Sequence, residues 1–221
     1  MVKRSAALAL VDMANAAASA GELSVMSESI VPYLDTLLKD MQDSVRVCAA
    51  EALTGVISTW AADPNNAQAC FDATKELVSN AMDDKSWRVR FAVVQGFDKI
   101  AIGYTFQNAA FVEDNLGQKL DDLESEVRLA AVKTVAAVGQ ALGGQHMNGA
   151  VIPALAELAK DPSGPVKAEV GKAMVGLILL SGVDLKALSA PILSFVQDGD
   201  KEDKIAVLVA LKDKLQGEFH T

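Results

Sequence analysis

The side chains that could support metal or nucleophilic chemistry are few in this chain and far apart. Histidine occurs only at His146 and His220, and the two cysteines are Cys48 and Cys70. A structural zinc site takes four such ligands, and a Cys–His nucleophile needs the two side chains within hydrogen-bond reach. Since these four residues are scattered along the chain, the sequence indicates neither a zinc cluster nor a cysteine nucleophile.

Two acidic pairs and one glycine pair are the remaining candidates for chemistry. Asp83-Asp84 and Asp121-Asp122 resemble paired catalytic carboxylates, but both pairs recur at one position of an internal repeat, which favours a role as caps. Gly143-Gly144 lacks the Lys-Ser/Thr that follows a phosphate-binding loop, so we interpret it as a helix stop. We therefore expect no enzymatic activity, no metal and no cofactor.

One turn has an unusual composition, Lys85-Ser86-Trp87-Arg88. The corresponding turns are polar or small, as in Gln42-Asp43-Ser44. A core role for Trp87 is possible in principle, because turn aromatics can fold back over a helix end. The alternative, which we favour, is a binding hot spot, because Trp beside Arg gives a rigid apolar surface next to a planar cation.

The overall composition predicts which elements position these residues. Hydrophobic residues make up 51% of the chain, mostly Ala, Leu and Val, with 6 prolines, which favours an all-α fold. A net charge of −9 argues against nucleic acid as a partner. The apolar runs are shorter than the roughly 20 residues that span a bilayer. Two cysteines are too few for a disulfide framework, so we expect a cytoplasmic protein, with the nucleus as a second location.

An internal repeat runs through the sequence. A basic residue opens an Ala-rich amphipathic segment every 37 to 44 residues, and five of these six residues follow an Asp by six positions. A large apolar residue lies seven positions after each basic residue, two turns further along the buried face of the predicted helix. The Asp/basic pairs are Asp40/Arg46, Asp84/Arg90, Asp122/Arg128, Asp161/Lys167 and Asp198/Lys204, after a first basic residue, Lys3; the apolar residues are Leu10, Leu53, Phe97, Val135, Met174 and Leu211.

This period is typical of HEAT repeats, in which each unit is an antiparallel helix pair. We predict a single right-handed superhelical solenoid over residues 1–221, with residues 1–20 as a leftover second helix. The Asp and basic residues are expected to form a structural ladder of exposed pairs, each stabilising by roughly 0 to 1 kcal/mol. Prolines 32, 153 and 191 are expected to bend first helices. The predicted pairs are 27–40 with 44–60, 66–83 with 86–103, 107–121 with 125–142, 147–160 with 165–181, and 184–198 with 201–215.

Several turns resemble the scaffolding A subunits of type-2A protein phosphatases, a family of long HEAT-repeat solenoids. The most specific segments are residues 83–91, Asp-Asp-Lys-Ser-Trp-Arg-Val-Arg-Phe, and residues 43–46, Asp-Ser-Val-Arg. Residues 1–7, 124–131 and 151–177 are similar in the same order. Because the first residues look like the second helix of an internal repeat, we expect the chain to be a central fragment of a longer scaffold or a shortened relative.

The resemblance implies a non-enzymatic scaffold that docks regulatory (B-type) subunits on its intra-repeat turns. It implies that the catalytic subunit binds through repeats beyond this chain. Ser86, Trp87 and Arg88 match family positions that face regulatory subunits, as do Lys3 and Arg4. The adjacent turn residues Asp43, Ser44 and Lys85 complete the predicted partner-binding site.

The alternative is a HEAT-type nuclear transport receptor or another protein-binding adaptor. Such a receptor would carry acidic or Trp/Asn ladders along its second helices, whereas these helices are mostly Ala and Val. A repeat-type enzyme is disfavoured, because some HEAT-type enzymes bind iron through His-Glu pairs and no His-Glu dipeptide occurs here.

Overall fold

The chain folds into helices joined by tight turns, as its Ala- and Leu-rich composition favours. The computed structural model describes residues 2–104, 106–178, 180–197, 199, 201, 203–205, 207–209 and 212, and these residues contain helices and turns but no strand. The predicted all-α solenoid of helix pairs is confirmed. By internal contacts the chain divides into two compact units, residues 1–115 and 116–221.

In unit 1, helices of about two to five turns alternate with turns of a few residues. Helix α3 packs against α1, α2, α5 and α6, and α4 packs against α5 and α6. Since α2 and α3 are joined by only four residues, they form an antiparallel hairpin. The helices are α1 (Val2–Ala20), α2 (Val31–Leu38), α3 (Asp43–Trp60), α4 (Ala67–Met82), α5 (Trp87–Gln95) and α6 (Phe97–Tyr104), followed by α7 (Ala109–Leu120), within which the division between units falls.

Unit 2 repeats the same arrangement. Helix α10 packs against α8, α9 and α11, and α9 also contacts α11. Its helices after α7 are α8 (Ser125–Leu142), α9 (Val151–Leu158), α10 (Gly164–Ile178) and α11 (Leu185–Gln197). Of the helix predicted at 201–215, residues 201, 203–205, 207–209 and 212 are described, and the others lie outside the described residues.

The apolar residues seven positions after each basic residue lie in the core, as predicted. Phe97, the largest of them, has no exposed surface, and the others within the described residues are at most 3% exposed. Leu211 lies outside the described residues. These side chains are buried because each lies two helical turns after its basic residue, on the apolar face of the helix.

The predicted effect of the prolines needs correction. Pro32 lies in the first turn of α2, directly after a π-helical segment at Met26–Ile30, and Pro153 is the third residue of α9. The amides of a first helical turn have no intrahelical acceptor, so Pro153 costs no helical hydrogen bond. Pro32 instead follows the π-helical segment without a break, and such segments are usual sites of a helix kink. Pro191 lies inside helix α11.

The predicted helix 86–103 is wrong as a single element, because the chain breaks it at Gly96 into α5 and α6. Glycine has weak helix propensity. Close packing against Thr54 of α3 also requires a residue without a side chain at position 96. A Cβ atom built on Gly96 would lie 2.9 Å from the Cβ, Cγ2 and Oγ1 atoms of Thr54. The Thr54 hydroxyl is itself held by a 2.8 Å hydrogen bond to the Glu51 carbonyl, so this neighbour resists moving.

We predict that Gly96→Ala destabilises the protein by about 1 kcal/mol, because overpacking costs about 1 to 3 kcal/mol and improved helix propensity returns up to about 1. Gly164→Ala is the matched control, since its Cβ would meet no atom within 4 Å. Urea unfolding of both variants measures the difference. A Gly96→Ala protein as stable as Gly164→Ala would show that α3 and the α5–α6 junction are loosely packed.

Candidate functional site on the intra-repeat turns

An aspartate organises each described intra-repeat turn in the same way. The Asp84 carboxylate accepts a 2.7 Å hydrogen bond from the Ser86 N–H, two residues later. Asp40, Asp122 and Asp161 accept from the amides of Gln42, Glu124 and Ser163 at 2.7 to 3.0 Å. These are Asx turns, so the second Asp of each acidic pair caps the turn that precedes the helix, not the helix itself.

In the turns of Asp40, Asp84 and Asp122, the arginine six residues later closes the same turn. The Arg46 Nη1 atom donates to the Asp40 carbonyl at 2.8 Å, and Arg90 and Arg128 donate equivalently to the carbonyls of Asp84 and Asp122 at 2.8 and 2.7 Å. The recurring offset of six therefore reflects a bond to the aspartate main chain. The aspartate side chain remains available for another partner.

That partner is an arginine of the preceding turn. Arg46 donates from Nε and Nη2 to both carboxylate oxygens of Asp84, at 2.7 and 2.9 Å. Arg128 binds Asp161 in the same bidentate way, at 2.7 and 3.2 Å. The guanidinium plane matches a carboxylate at both oxygens, so each pair fixes the orientation of the two turns it joins.

The Arg–Asp ion pairs between turns are more buried than the exposed pairs that the sequence predicts. The side chains of Arg46 and Asp84 are 5% and 12% exposed. Hydrogen bonding to Asp84 raises the pKa of Arg46. Burial pushes the pKa of Asp84 upward, but hydrogen bonds from Arg46 and the Ser86 N–H outweigh it and lower the pKa below its ordinary value. Both groups therefore stay charged.

Lysine forms looser versions of the same link. Lys3 contacts Asp40 through one 2.6 Å bond, and Lys167 lies 3.7 Å from Asp203. Hydrogen bonding to Lys3, and then to the Gln42 N–H, lowers the pKa of Asp40. The pairing of Lys167 with Asp203 was not predicted. The predicted marker Asp198 lies outside the described residues.

Trp87 is the first residue of helix α5, within the predicted helix 86–103 and directly after the turn that ends at Ser86. It is half-buried, with the Arg88 guanidinium carbon 5.0 Å from the ring centroid and Phe91 at 6.2 Å in an edge-to-face arrangement. The indole is thus fixed on one side by a cation and on another by an aromatic ring, while part of it stays exposed to solvent.

The Asp43 carboxylate joins this cluster to the preceding turn. Its Oδ2 atom lies 3.8 Å from Arg88 Nη1 and accepts a 3.4 Å hydrogen bond from the Ser86 hydroxyl. Four of the predicted partner-binding residues, Asp43, Ser86, Trp87 and Arg88, therefore form one cluster. We call it the Trp87 cluster.

The other predicted partner-binding residues lie around this cluster or apart from it. Lys85 is exposed beside it, and Ser44 is half-buried in the first turn of α3. Lys3 and Arg4 are exposed on α1, where Lys3 binds Asp40.

Two features of unit 1 were missed from the sequence. Met41, next to the marker Asp40, is 96% exposed. Its signal was an apolar residue in a turn, and the same signal recurs in unit 2 at Leu123, which follows Asp122 and is 94% exposed. A buried polar pair is the second, since the Thr74 and Tyr104 hydroxyls lie 2.9 Å apart. Phe71 and Phe111 surround Tyr104, in a segment with little repeat pattern.

The residues that could do chemistry remain apart. Among the described residues, no group of three or more His, Cys, Asp or Glu side chains is placed to hold a metal ion. Burial raises the pKa of Cys70 to about 12, so its thiol stays protonated at neutral pH. His220 lies outside the described residues. Across the same described part of the chain, no helix is long and apolar enough to cross a membrane.

The fold and its turns define a helical-repeat protein of the armadillo/HEAT class. Residues 24–179 match the model of the family described as sister chromatid cohesion protein PDS5. The chain belongs to this family. The match supports the helical-repeat part of the sequence resemblance, and the family it names is not the phosphatase scaffold. None of the curated proteins matches the chain.

Solved structures agree with the fold. An engineered protein has a TM-score of 0.61 at 20% identity, covering 97% of this chain and 90% of its own. A designed armadillo repeat protein in complex with the peptide (KR)4 has a TM-score of 0.57 at 21% identity, covering 94% and 92%. Another designed armadillo repeat protein has a TM-score of 0.56 at 19% identity, covering 95% and 92%. None of these matches names a catalytic family.

We predict that Asp84→Asn destabilises the protein by about 3 kcal/mol, because it leaves the buried Arg46 guanidinium without its counter-charge. Asp35→Asn is the matched control, since it removes only the exposed pair between Lys39 and Asp35 and should cost less than about 1 kcal/mol. Chemical denaturation of both variants checks the difference. Equal losses would mean that the Arg46–Asp84 link contributes no more than a surface pair.

The lowered pKa of Asp84 also predicts an acid dependence. A carboxyl with a folded pKa below its unfolded value of about 3.9 stabilises the fold above that value, and the stabilisation is lost as pH falls through the folded pKa. The thermal midpoint of the wild type should therefore fall more than that of Asp84→Asn between about pH 5 and about pH 2.5. Parallel pH profiles would contradict the pairing.

Proposed function

We propose that this chain is a non-catalytic scaffold that binds another protein through the Trp87 cluster. The observation that carries this proposal is the position of Trp87. The side chain is half-buried at the start of α5 and held by Arg88 and Phe91, so a large apolar ring faces the surface in one fixed orientation. Trp and Arg are the residues most enriched at interface hot spots.

The supports of the cluster reduce the entropic cost of binding. Ser86 is fixed by Asp84 through its amide and by Asp43 through its hydroxyl, at 2.7 and 3.4 Å. Asp84 is in turn held by the buried Arg46. A partner therefore meets side chains whose positions are already set, and less of the contact energy is lost to ordering them.

The partner we propose is a regulatory (B-type) subunit of a type-2A protein phosphatase. The support is the amino-acid sequence of residues 83–91 and 43–46, which resembles the turns of the phosphatase scaffold. The two segments meet in the structure, since Asp43 contacts both Ser86 and Arg88. On this proposal the protein works in the cytoplasm, with the nucleus as a second location.

The family match favours a second candidate, a role in sister chromatid cohesion. That match covers residues 24–179, which include the whole Trp87 cluster. A designed structural neighbour is in complex with a peptide, which is consistent with protein or peptide binding by this kind of fold. Under this candidate the protein would work on chromatin in the nucleus, and a cohesion protein would bind the same cluster.

We predict that Trp87→Ala weakens regulatory-subunit binding at least about thirtyfold while leaving the fold nearly intact, because truncating a hot-spot residue costs about 2 kcal/mol or more. Phe97→Ala is the control for core damage, expected to lose about 3 to 5 kcal/mol of stability. Calorimetric titration with a purified B-type subunit and thermal unfolding of each variant give the two readouts.

The outcomes separate the candidates. If wild-type protein does not bind the B-type subunit, the phosphatase role is wrong. Capture of cohesion proteins from a nuclear extract, lost in Trp87→Ala, would then support the second candidate. A Trp87→Ala protein that melts as early as Phe97→Ala, or that binds its partner unchanged, would mean that Trp87 is a packing residue and not a contact.

A further inference from the structure

Helix α1 carries an apolar face that the rest of unit 1 leaves largely uncovered. Val2 is 83% exposed and Met13 is 50% exposed, while Ala6 is half-buried and Ala9 is exposed between them. These four residues follow the spacing i, i+4, i+7 and i+11, which places them on one side of a helix. We call them the α1 face, and it extends over about three helical turns.

The corresponding positions are buried in second helices that pack against a first helix of their own. They are buried in α3, which packs against α2, and in α10, which packs against α9. The residues are Val45, Ala49, Ala52 and Val56 in α3, and Val166, Val170, Ala173 and Leu177 in α10. Within the described part of the chain, α1 has no first helix of its own. The repeat therefore indicates that the α1 face fits a helix.

A groove beside α2 marks where such a helix would lie. Its volume is about 380 Å³, and its surface is almost entirely apolar. The groove is lined mainly by Ala6, Ala9, Leu10 and Met13 of α1 and by Ile30 and Tyr33. Because alanine is small, the occupant needs large apolar side chains to fill this volume. A second copy of α1 offers mainly Ala on this face, so it would leave the groove partly empty.

Charge at the start of α1 sets the direction of the occupant. Lys3 binds the Asp40 carboxylate at 2.6 Å, and no carboxylate among the described residues pairs with the exposed Arg4. Arg46, the equivalent of Lys3 in α3, also donates to the carbonyls of Asp40 and Met41, which directly follow its own first helix. A helix antiparallel to α1 would bring its last carbonyls, and the negative end of its dipole, to Lys3 and Arg4.

We propose that the groove between α1 and α2 binds an amphipathic helix of another protein, in the direction antiparallel to α1. Large apolar side chains on one face of that helix would fill the groove, and its carboxyl end would lie at Lys3 and Arg4. This is recognition of a helix in a groove, as in other proteins that bind amphipathic helices. The surface is separate from the Trp87 cluster, and it gives a role to Lys3 and Arg4, which that cluster does not include.

The test uses the full chain and a fluorescein-labelled peptide with the sequence of residues 26–41, the segment that packs against α3. A lactam joins Asp35 and Lys39 of the peptide, which form an exposed i, i+4 ion pair on α2, and keeps the peptide helical. Fluorescence anisotropy should show saturable binding. A peptide with Ser in place of Leu34 and Leu37, both buried in α2, should bind at least about tenfold more weakly. Equal binding of the two peptides, or binding of neither, would overturn the proposal.

Two variants of α1 locate the binding site. Met13→Lys should weaken binding of the peptide at least about tenfold, because it places a charge in an apolar groove. Leu8→Lys is the matched control, since Leu8 is 56% exposed on the same helix but does not line the groove. It should leave binding unchanged. Equal effects of the two variants would show that the peptide binds elsewhere, for example in place of the chain's own α2, and the proposal would be wrong.

The direction of the helix has its own test. Arg4→Glu should weaken binding of the peptide about two- to fivefold, because it reverses a charge beside the carboxyl end of the bound helix. The loss should shrink as salt rises. Lys99→Glu is the control, with the same change of charge at an exposed position of α6. If both variants bind the peptide equally well, the antiparallel direction is wrong.

Two further measurements separate the possible occupants and sites. Sedimentation velocity of the chain alone should show a monomer. A dimer that Met13→Lys dissociates would assign the groove to a second copy and overturn the proposal. Trp87→Ala should bind the peptide as the wild type does, so the groove can be confirmed or rejected whatever the result for the Trp87 cluster. Loss of peptide binding in Trp87→Ala would contradict a separate site on α1.

Discussion

The bond network of one arginine, Arg46, is the constraint on which the architecture of unit 1 depends. Its guanidinium reaches the carbonyls of Asp40 and Met41 and both carboxylate oxygens of Asp84. Burying this charge would be costly if any donor lacked an acceptor. Because the acceptors come from two turns, desolvation is offset only when both turns adopt one geometry. The Arg46–Asp84 pair therefore fixes the relative position of the two turns as well as stabilising the fold. Arg128 and Asp161 form the same kind of pair in unit 2.

The same constraint explains why the Trp87 cluster is held rigidly although it lies beside turns. Turns are usually the more mobile parts of a fold. Here Asp84 binds Arg46 with its carboxylate and the Ser86 amide through one of the same oxygens. Any movement of the α5 start would break a bond inside the buried network. The hydrogen bonds of Arg46, Asp84 and Ser86 therefore hold the backbone of Trp87 in place, although its ring lies partly at the surface.

The sequence predicted those parts of the fold that repeat. A fixed offset of six between Asp and Arg was visible because the turns of Asp40, Asp84 and Asp122 use the same two bonds, and the buried position of Phe97 followed from helical spacing. Contacts made once could not be seen this way. The break at Gly96 depends on the approach of Thr54, which leaves no periodic signal. The Trp87 cluster was found only because its composition departs from the repeat.

The surroundings of Trp87 decide what its ring could contribute to the proposed function. Arg88 lies 5.0 Å from the ring centroid and Phe91 packs edge-to-face at 6.2 Å, so the indole is held on two sides. A ring held in this way loses little conformational entropy when another side chain packs against it. Under the proposed function, the fixed ring would therefore set the position of the partner on this surface, and the Arg46–Asp84 pair would contribute by holding the start of α5.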